Sequence, residues 1–291
     1  MTKPLYILAP AILASGVISV ATTLYGASNQ STITTQGSKT CVSSNGTPNH
    51  SIGQFPNRGN PNSFKAQDLK YCFDSNPKKT SKKSTAPISG VTVTGIPIRP
   101  GTADWYDASS PRGHSRDRSS GWNLDGMAPG NPLGLDSNNA HVDNRGLYHY
   151  HGMPTALINI NGDTLMGYAA DGHEIHYVGS SAESSWQLKS GTRPSAPSGA
   201  YDGSFNQDWE YVAGSGNLDE CNGGLAGGKY VYFATDSYPF FPRCFYGSVG
   251  SDFKNQGASS GQRRPAQQAA QLGPRPQRDG RKPRRPLFGF F

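Results

Sequence analysis

Residues 146–152, GLYHYHG, alternate aromatic and imidazole side chains strictly over Tyr148-His149-Tyr150-His151. Strict alternation has the two-residue period of an extended strand, so His149 and His151 share one face and Tyr148 and Tyr150 the other. On a strand the two histidines stand roughly 6.5–7 Å apart at the backbone. That spacing suits two ligands of one transition-metal ion, which needs three or four in all.

The surrounding chain predicts more strands of the same short kind. Val91, Val93, Ile96 and Ile98 alternate with threonines, TALINI is separated from LMGYAADG by the turn Asn161-Gly162-Asp163, and EIHYV and KYVYFA follow. Asn-Gly between apolar runs is a hairpin signal. With 36 glycines and 22 prolines in 291 residues, long helices are not expected. The expected fold is mostly β: a single compact domain of short antiparallel strands with long Gly/Pro-rich loops, stapled by disulfides. Residues 104–146, anchored by Trp105, Trp122 and Leu124, and residues 178–217 read as loop-rich excursions. Segments that long are commonly functional or held by ligands.

The ends differ from the middle. Lys3 precedes an apolar run from Leu5 to Ala21, and Gly26-Ala27-Ser28 offers small residues for cleavage, so residues 1–28 read as an export signal. The rival reading is an uncleaved membrane anchor. Either places the body outside the cytoplasm: periplasmic, in the cell envelope or extracellular. Residues 29–40 are rich in Ser, Thr, Gln and Asn and read as a flexible spacer, 41–250 as the β domain with a linker-like stretch at 74–87, and 251–291 as a basic Pro/Arg/Gln-rich disordered tail. From Lys254 onward nine Lys/Arg face one acid, Asp279. The positive charge therefore belongs to the tail, a candidate contact for an anionic envelope surface or another protein, and nucleic-acid binding is not expected of the body.

Cys41, Cys72, Cys221 and Cys244 fit an oxidising compartment, and none forms a C-x-x-C pair. Four cysteines allow three pairings. Each sequence-local pair, Cys41–Cys72 and Cys221–Cys244, brackets a Gly/Pro-rich region with little core of its own, which makes that pairing the expectation.

These residues resemble the YHYH-domain family, a widespread group of mostly exported proteins whose biochemical role is largely uncharacterised. The resemblance is carried by SNGTPNHSIGQFPNRGNPN at 44–62, GIPIRPGTADWYD at 95–107, SGWNLDG at 120–126, YHYHG at 148–152, GYAADG at 167–172, NLDECNG at 217–223 and YPFFPRCFYG at 238–247. Members commonly carry a second YHYH-like strand after LDECNG. Here that place reads Tyr230-Val231-Tyr232-Phe233, so the tyrosines stay and the imidazoles are gone. Conversely, the segment after Asp171-Gly172, apolar in relatives, reads His173-Glu174-Ile175-His176.

Five of the seven histidines fall between 141 and 176. The site expected from this clustering uses His149 and His151, with His173 or His176 and then Asp171 or His141 completing the ligand set around zinc, copper, iron or manganese. His50 and His114 read as surface residues. Three readings follow: an extracytoplasmic metal-binding protein; a metal-dependent hydrolase or oxidase with Asp171 or Glu174 as general base; or a structural or adhesive surface module whose histidines only knit the core. Residues 136–147 are no EF-hand, because His141 stands where glycine is needed and Leu147 where glutamate is. No G-x-S-x-G, P-loop, dinucleotide fingerprint or H-E-x-x-H occurs.

Overall fold

Runs of β-branched and aromatic residues broken every few positions by Gly, Asn or Pro form short strands and little else. In a computed structural model describing residues 28–157 and 164–254, the protein is built of fifteen such strands. In chain order they are β1 Ser31–Gln36, β2 Lys39–Ser44, β3 Leu69–Asp74, β4 Gly90–Thr92, β5 Pro97–Ile98, β6 Trp105–Tyr106, β7 His114–Ser115 and β8 Ala140–Val142. There follow β9 Tyr148–Tyr150, β10 Leu165–Ala169, β11 Glu174–His176, β12 Trp186–Leu188, β13 Trp209–Tyr211, β14 Gly223–Ala226 and β15 Lys229–Phe233. The apolar segment expected to direct export, the basic stretch beyond Lys254 and the expected turn at Asn161-Gly162-Asp163 lie outside the described residues. Among those described, no helix is long and apolar enough to cross a membrane.

Eight strands make one sheet in the order β8-β9-β5-β4-β10-β11-β15-β14. Its pairs are antiparallel except two, β5 with β9 and β11 with β15. One parallel joint lies within each of two matching halves of the sheet. Each half has an inner hairpin, β4–β5 or β10–β11, and an outer hairpin, β8–β9 or β14–β15, joined in parallel to the inner one. The halves meet where β4 pairs antiparallel with β10. Register agrees residue by residue: Ile98 pairs with Tyr150 in one half, and Ile175 with Tyr232 in the other. The inner hairpins turn on Gly95 at φ 80° and Gly172 at φ 94°, a backbone state that glycine enters without strain.

One face of this sheet is the core. Tyr148, Tyr150, Ile96, Ile98, Ile175 and Tyr232 are fully or almost fully buried there with Val42, Tyr71 and Phe73 of the three-stranded sheet β1-β2-β3. Phe241, Phe245 and Phe253, from the aromatic run and the chain beyond it, close the same core. The long excursions carry a second cluster, Trp122, Leu124, Ala128, Leu133 and Phe205.

Both disulfides join the sequence-local partners: Cys41 with Cys72, directly opposite each other on β2 and β3, and Cys221 with Cys244. Two expectations about the ends of the body need correction. Residues 29–40 are not a flexible spacer, because Ser31–Gln36 pairs with Lys39–Ser44 in a hairpin turning on Gly37. The threonines and Ile33 in a polar-looking segment are β-branched residues that suit an edge strand. The stretch 74–87 is not a free linker either. Thr80 N–H donates to the Tyr246 carbonyl, Ser84 bridges Phe245, and Lys83 is ion-paired with Glu220.

Candidate metal centre

The outer hairpin of the first half is set by its turn. Asp143-Asn144-Arg145-Gly146 closes β8 onto β9, with the Asp143 N–H donating to the Leu147 carbonyl and the Leu147 N–H to the Asp143 carboxylate. This length puts His141 directly opposite His149. Cross-strand partners share a face, and so do residues two apart on a strand, so His141, His149 and His151 converge. Their ring centroids lie 4.7, 4.7 and 4.9 Å apart. Nε2 of His151 is 3.1 Å from Nε2 of His149 and 3.2 Å from Nε2 of His141.

The backbone orients two of the three rings. Nδ1 of His141 lies 2.9 Å from the Leu133 carbonyl, and Nδ1 of His149 lies 3.1 Å from the Leu147 carbonyl. A carbonyl only accepts, so each Nδ1 carries the proton and each Nε2 keeps its lone pair for the cluster. The third ring is held by packing: a Cβ on Gly126 would overlap Nδ1 of His151 and lie 2.6 Å from the Pro100 carbonyl. Burial holds all three rings neutral. Desolvation is the leading cause that pulls His149 and His151 well below the ordinary histidine range, the neighbouring Arg99 guanidinium adding to it for both, and desolvation likewise lowers His141. His149 and His151 are each 2% exposed, while His141 on the edge strand is half-buried.

Three neutral imidazoles whose Nε2 atoms converge on one point, two of them with the lone pair turned inward, are a set that could hold a transition metal. A tetrahedral ion bound at about 2.0–2.1 Å by nitrogen separates its ligand atoms by roughly 3.3 Å, close to the spacing seen here. Among the described residues this is the one cluster of three or more His, Cys, Asp or Glu able to hold a metal.

The other expected ligands lie elsewhere. From β11 to β9 the sheet takes four strand steps, roughly 19 Å. His173 and His176 therefore do not join His149 and His151, and Asp171 and Glu174 cannot serve as general base to an ion held there. Asp171 is buried and accepts from the Tyr232 hydroxyl, the Gly247 N–H and the His173 N–H, and its carboxylate lies 3.1 Å from Nδ1 of His173. His176 sits between Glu174, 2.8 Å away, and Thr164. His50 and His114 are not simple surface groups. His50 Nε2 is 2.6 Å from the Tyr150 hydroxyl, and His114 is 7% exposed beside Asp104.

A repeat in the sequence marks His141 more strongly than its rank among the candidates did. Leu135-Asp136-x-x-Asn139 precedes the Tyr-x-Tyr of β9, and Leu218-Asp219-x-x-Asn222 precedes that of β15. In both turns the aspartate accepts the N–H groups two and four residues on. The asparagine has positive φ, 55° at Asn139 and 63° at Asn222. The other carboxylate oxygen accepts a tyrosine hydroxyl, Tyr148 or Tyr230, at 2.8 Å. Laid on one another, the hairpins set Gly224, Val231 and Phe233 where His141, His149 and His151 stand.

A family model described as YHYH protein matches residues 70–247, which contain the whole eight-stranded sheet. No curated protein and no solved structure matches the chain.

Proposed function

We propose that this chain, which belongs to the YHYH protein family, is an extracytoplasmic metal-binding protein that holds one transition-metal ion through His141, His149 and His151. The convergence of the His141 and His149 Nε2 atoms on that of His151, each within hydrogen-bond distance of it, carries this reading. Carbonyl bonds to the far nitrogens of His141 and His149 support it, because such partners orient a ligand and raise its basicity. An all-imidazole set favours zinc or copper over manganese, which prefers oxygen donors. The apolar amino-terminal segment and the two disulfides support placement outside the cytoplasm.

Protein purified without a histidine tag is expected to carry close to one equivalent of metal, and a His149→Ala, His151→Ala variant to fold without it. Adding zinc or copper to stripped protein at a hundredfold excess over the dissociation constant should stabilise the fold by about 2.7 kcal/mol. Stripped wild-type protein whose melting temperature ignores both ions would sink the proposal.

A further inference from the structure

Three neutral histidines contribute no charge to a divalent ion, and no carboxylate belongs to the cluster. The carboxylates nearby are engaged: Asp143 with Arg99 at 3.0 Å and Arg145 at 3.6 Å, and Asp125 with Arg243 at 2.8 Å. A dication on the triad therefore keeps its charge where two of its ligands are 2% exposed. Uncompensated charge in such surroundings is costly, which favours a negative ligand from outside. Three protein donors leave a fourth tetrahedral position for it. Access comes from the rim of the sheet, since β8 is an edge strand and His141 upon it is the one half-buried ring of the three.

Arg99 supplies a second contact. Ile98 is the register partner of Tyr150, and the Arg99 N–H donates to the Tyr150 carbonyl, so Arg99 falls on the histidine face of the sheet. Its side chain, 12% exposed, reaches over β9 to Asp143 on the far side of His149. Nη1 is satisfied there, but Nε is buried with no acceptor among the described residues. An orphaned buried donor costs about 1–3 kcal/mol, and a bound anion would remove that cost. The half of the sheet without the triad has no arginine at the matching place, where His176 stands.

We infer that the metal on His141, His149 and His151 takes a small monovalent anion as its fourth ligand, with Arg99 Nε as the second contact of that anion. This rests on the metal-binding reading above. Cobalt(II) loaded into stripped full-length protein reports on it, because the visible absorption of cobalt follows its ligands. Azide at millimolar concentration should change that spectrum saturably. Arg99→Gln should weaken azide binding about tenfold, and Asp143→Asn, which keeps the turn acceptor and removes the charge facing Arg99, should tighten it. Protein that takes up no cobalt overturns the metal reading and this inference with it. Protein that binds one cobalt and ignores azide overturns only the inference, as does azide binding indifferent to both substitutions.

Discussion

The two outer hairpins of the large sheet share a backbone plan and differ in what they face. Each begins with an Asp-x-x-Asn turn, attaches in parallel to an inner hairpin, and turns a Tyr-x-Tyr pair to one side. In β8–β9 the opposite side carries three converging imidazoles. In β14–β15 that side carries Val231 and Phe233, packed with Ala182 and Leu218 in a small apolar cluster. The tyrosines, then, belong to the scaffold and the histidines to the site. A backbone that supports a bare apolar hairpin equally well does not need the triad in order to fold.

Exchange between the halves is the strongest way to break this comparison. His141→Gly, His149→Val, His151→Phe should fold and bind no metal, while Gly224→His, Val231→His, Phe233→His should raise metal content from one equivalent to two. Space exists for the new ring at 224, since a Cβ there meets chiefly Phe233, which the same design replaces. Elemental analysis reads both outcomes. An exchanged protein that unfolds would show that the histidines are structural, and the separation of scaffold from site would fail.

Which parts of this were legible in the sequence follows from how far each signal acts. Alternation is local, and YHYH was enough to put His149 and His151 on one face. Bracketing of poorly cored segments was enough for both disulfides. Cross-strand neighbours depend on turn length and strand order, which are not local. His173 is near His149 in the chain, yet β10, β4 and β5 lie between their strands. His141 was reachable through the four-residue turn Asp143–Gly146 or through the repeated Leu-Asp-x-x-Asn, signals weaker than clustering along the chain. The hairpin at residues 31–44 was hidden by polar composition, because Ser and Thr on an edge strand look like a spacer.

A milder test compares the halves through acid. His149 and His151 are held neutral chiefly by desolvation, their folded values far below the ordinary 6.5. Below that pH the unfolded chain binds protons that the folded one refuses, so the stability of the stripped protein is full above pH 6.5 and falls as pH drops. The slope is up to about 1.4 kcal/mol per pH unit for each histidine. Urea unfolding from pH 7.5 to 5.5 should show this loss in wild type and a flatter profile in the His141→Gly, His149→Val, His151→Phe variant, where the remaining histidines are common to both. Parallel profiles would mean that the triad is charged in the fold.

The smallest effect separates the turns themselves. Asp136 and Asp219 accept the same two turn N–H groups, so Ala at either position costs the same there, and any difference comes from the tyrosine above and from the Gly53 N–H that Asp136 alone also accepts. Tyr148 is fully buried, while Tyr230 is half-buried and its aspartate is 26% exposed beside Lys79. Water can replace the lost acceptor for Tyr230 and cannot for Tyr148. Asp136→Ala should therefore cost about 1–2 kcal/mol more than Asp219→Ala in chemical denaturation. Adding Tyr148→Phe to Asp136→Ala removes the orphaned hydroxyl and should recover most of that difference, because taking away both partners of a buried bond is far cheaper than taking one. Equal costs at the two aspartates, or no recovery with phenylalanine, would place the contribution of Asp136 in the turn and in its bond from the Gly53 N–H instead.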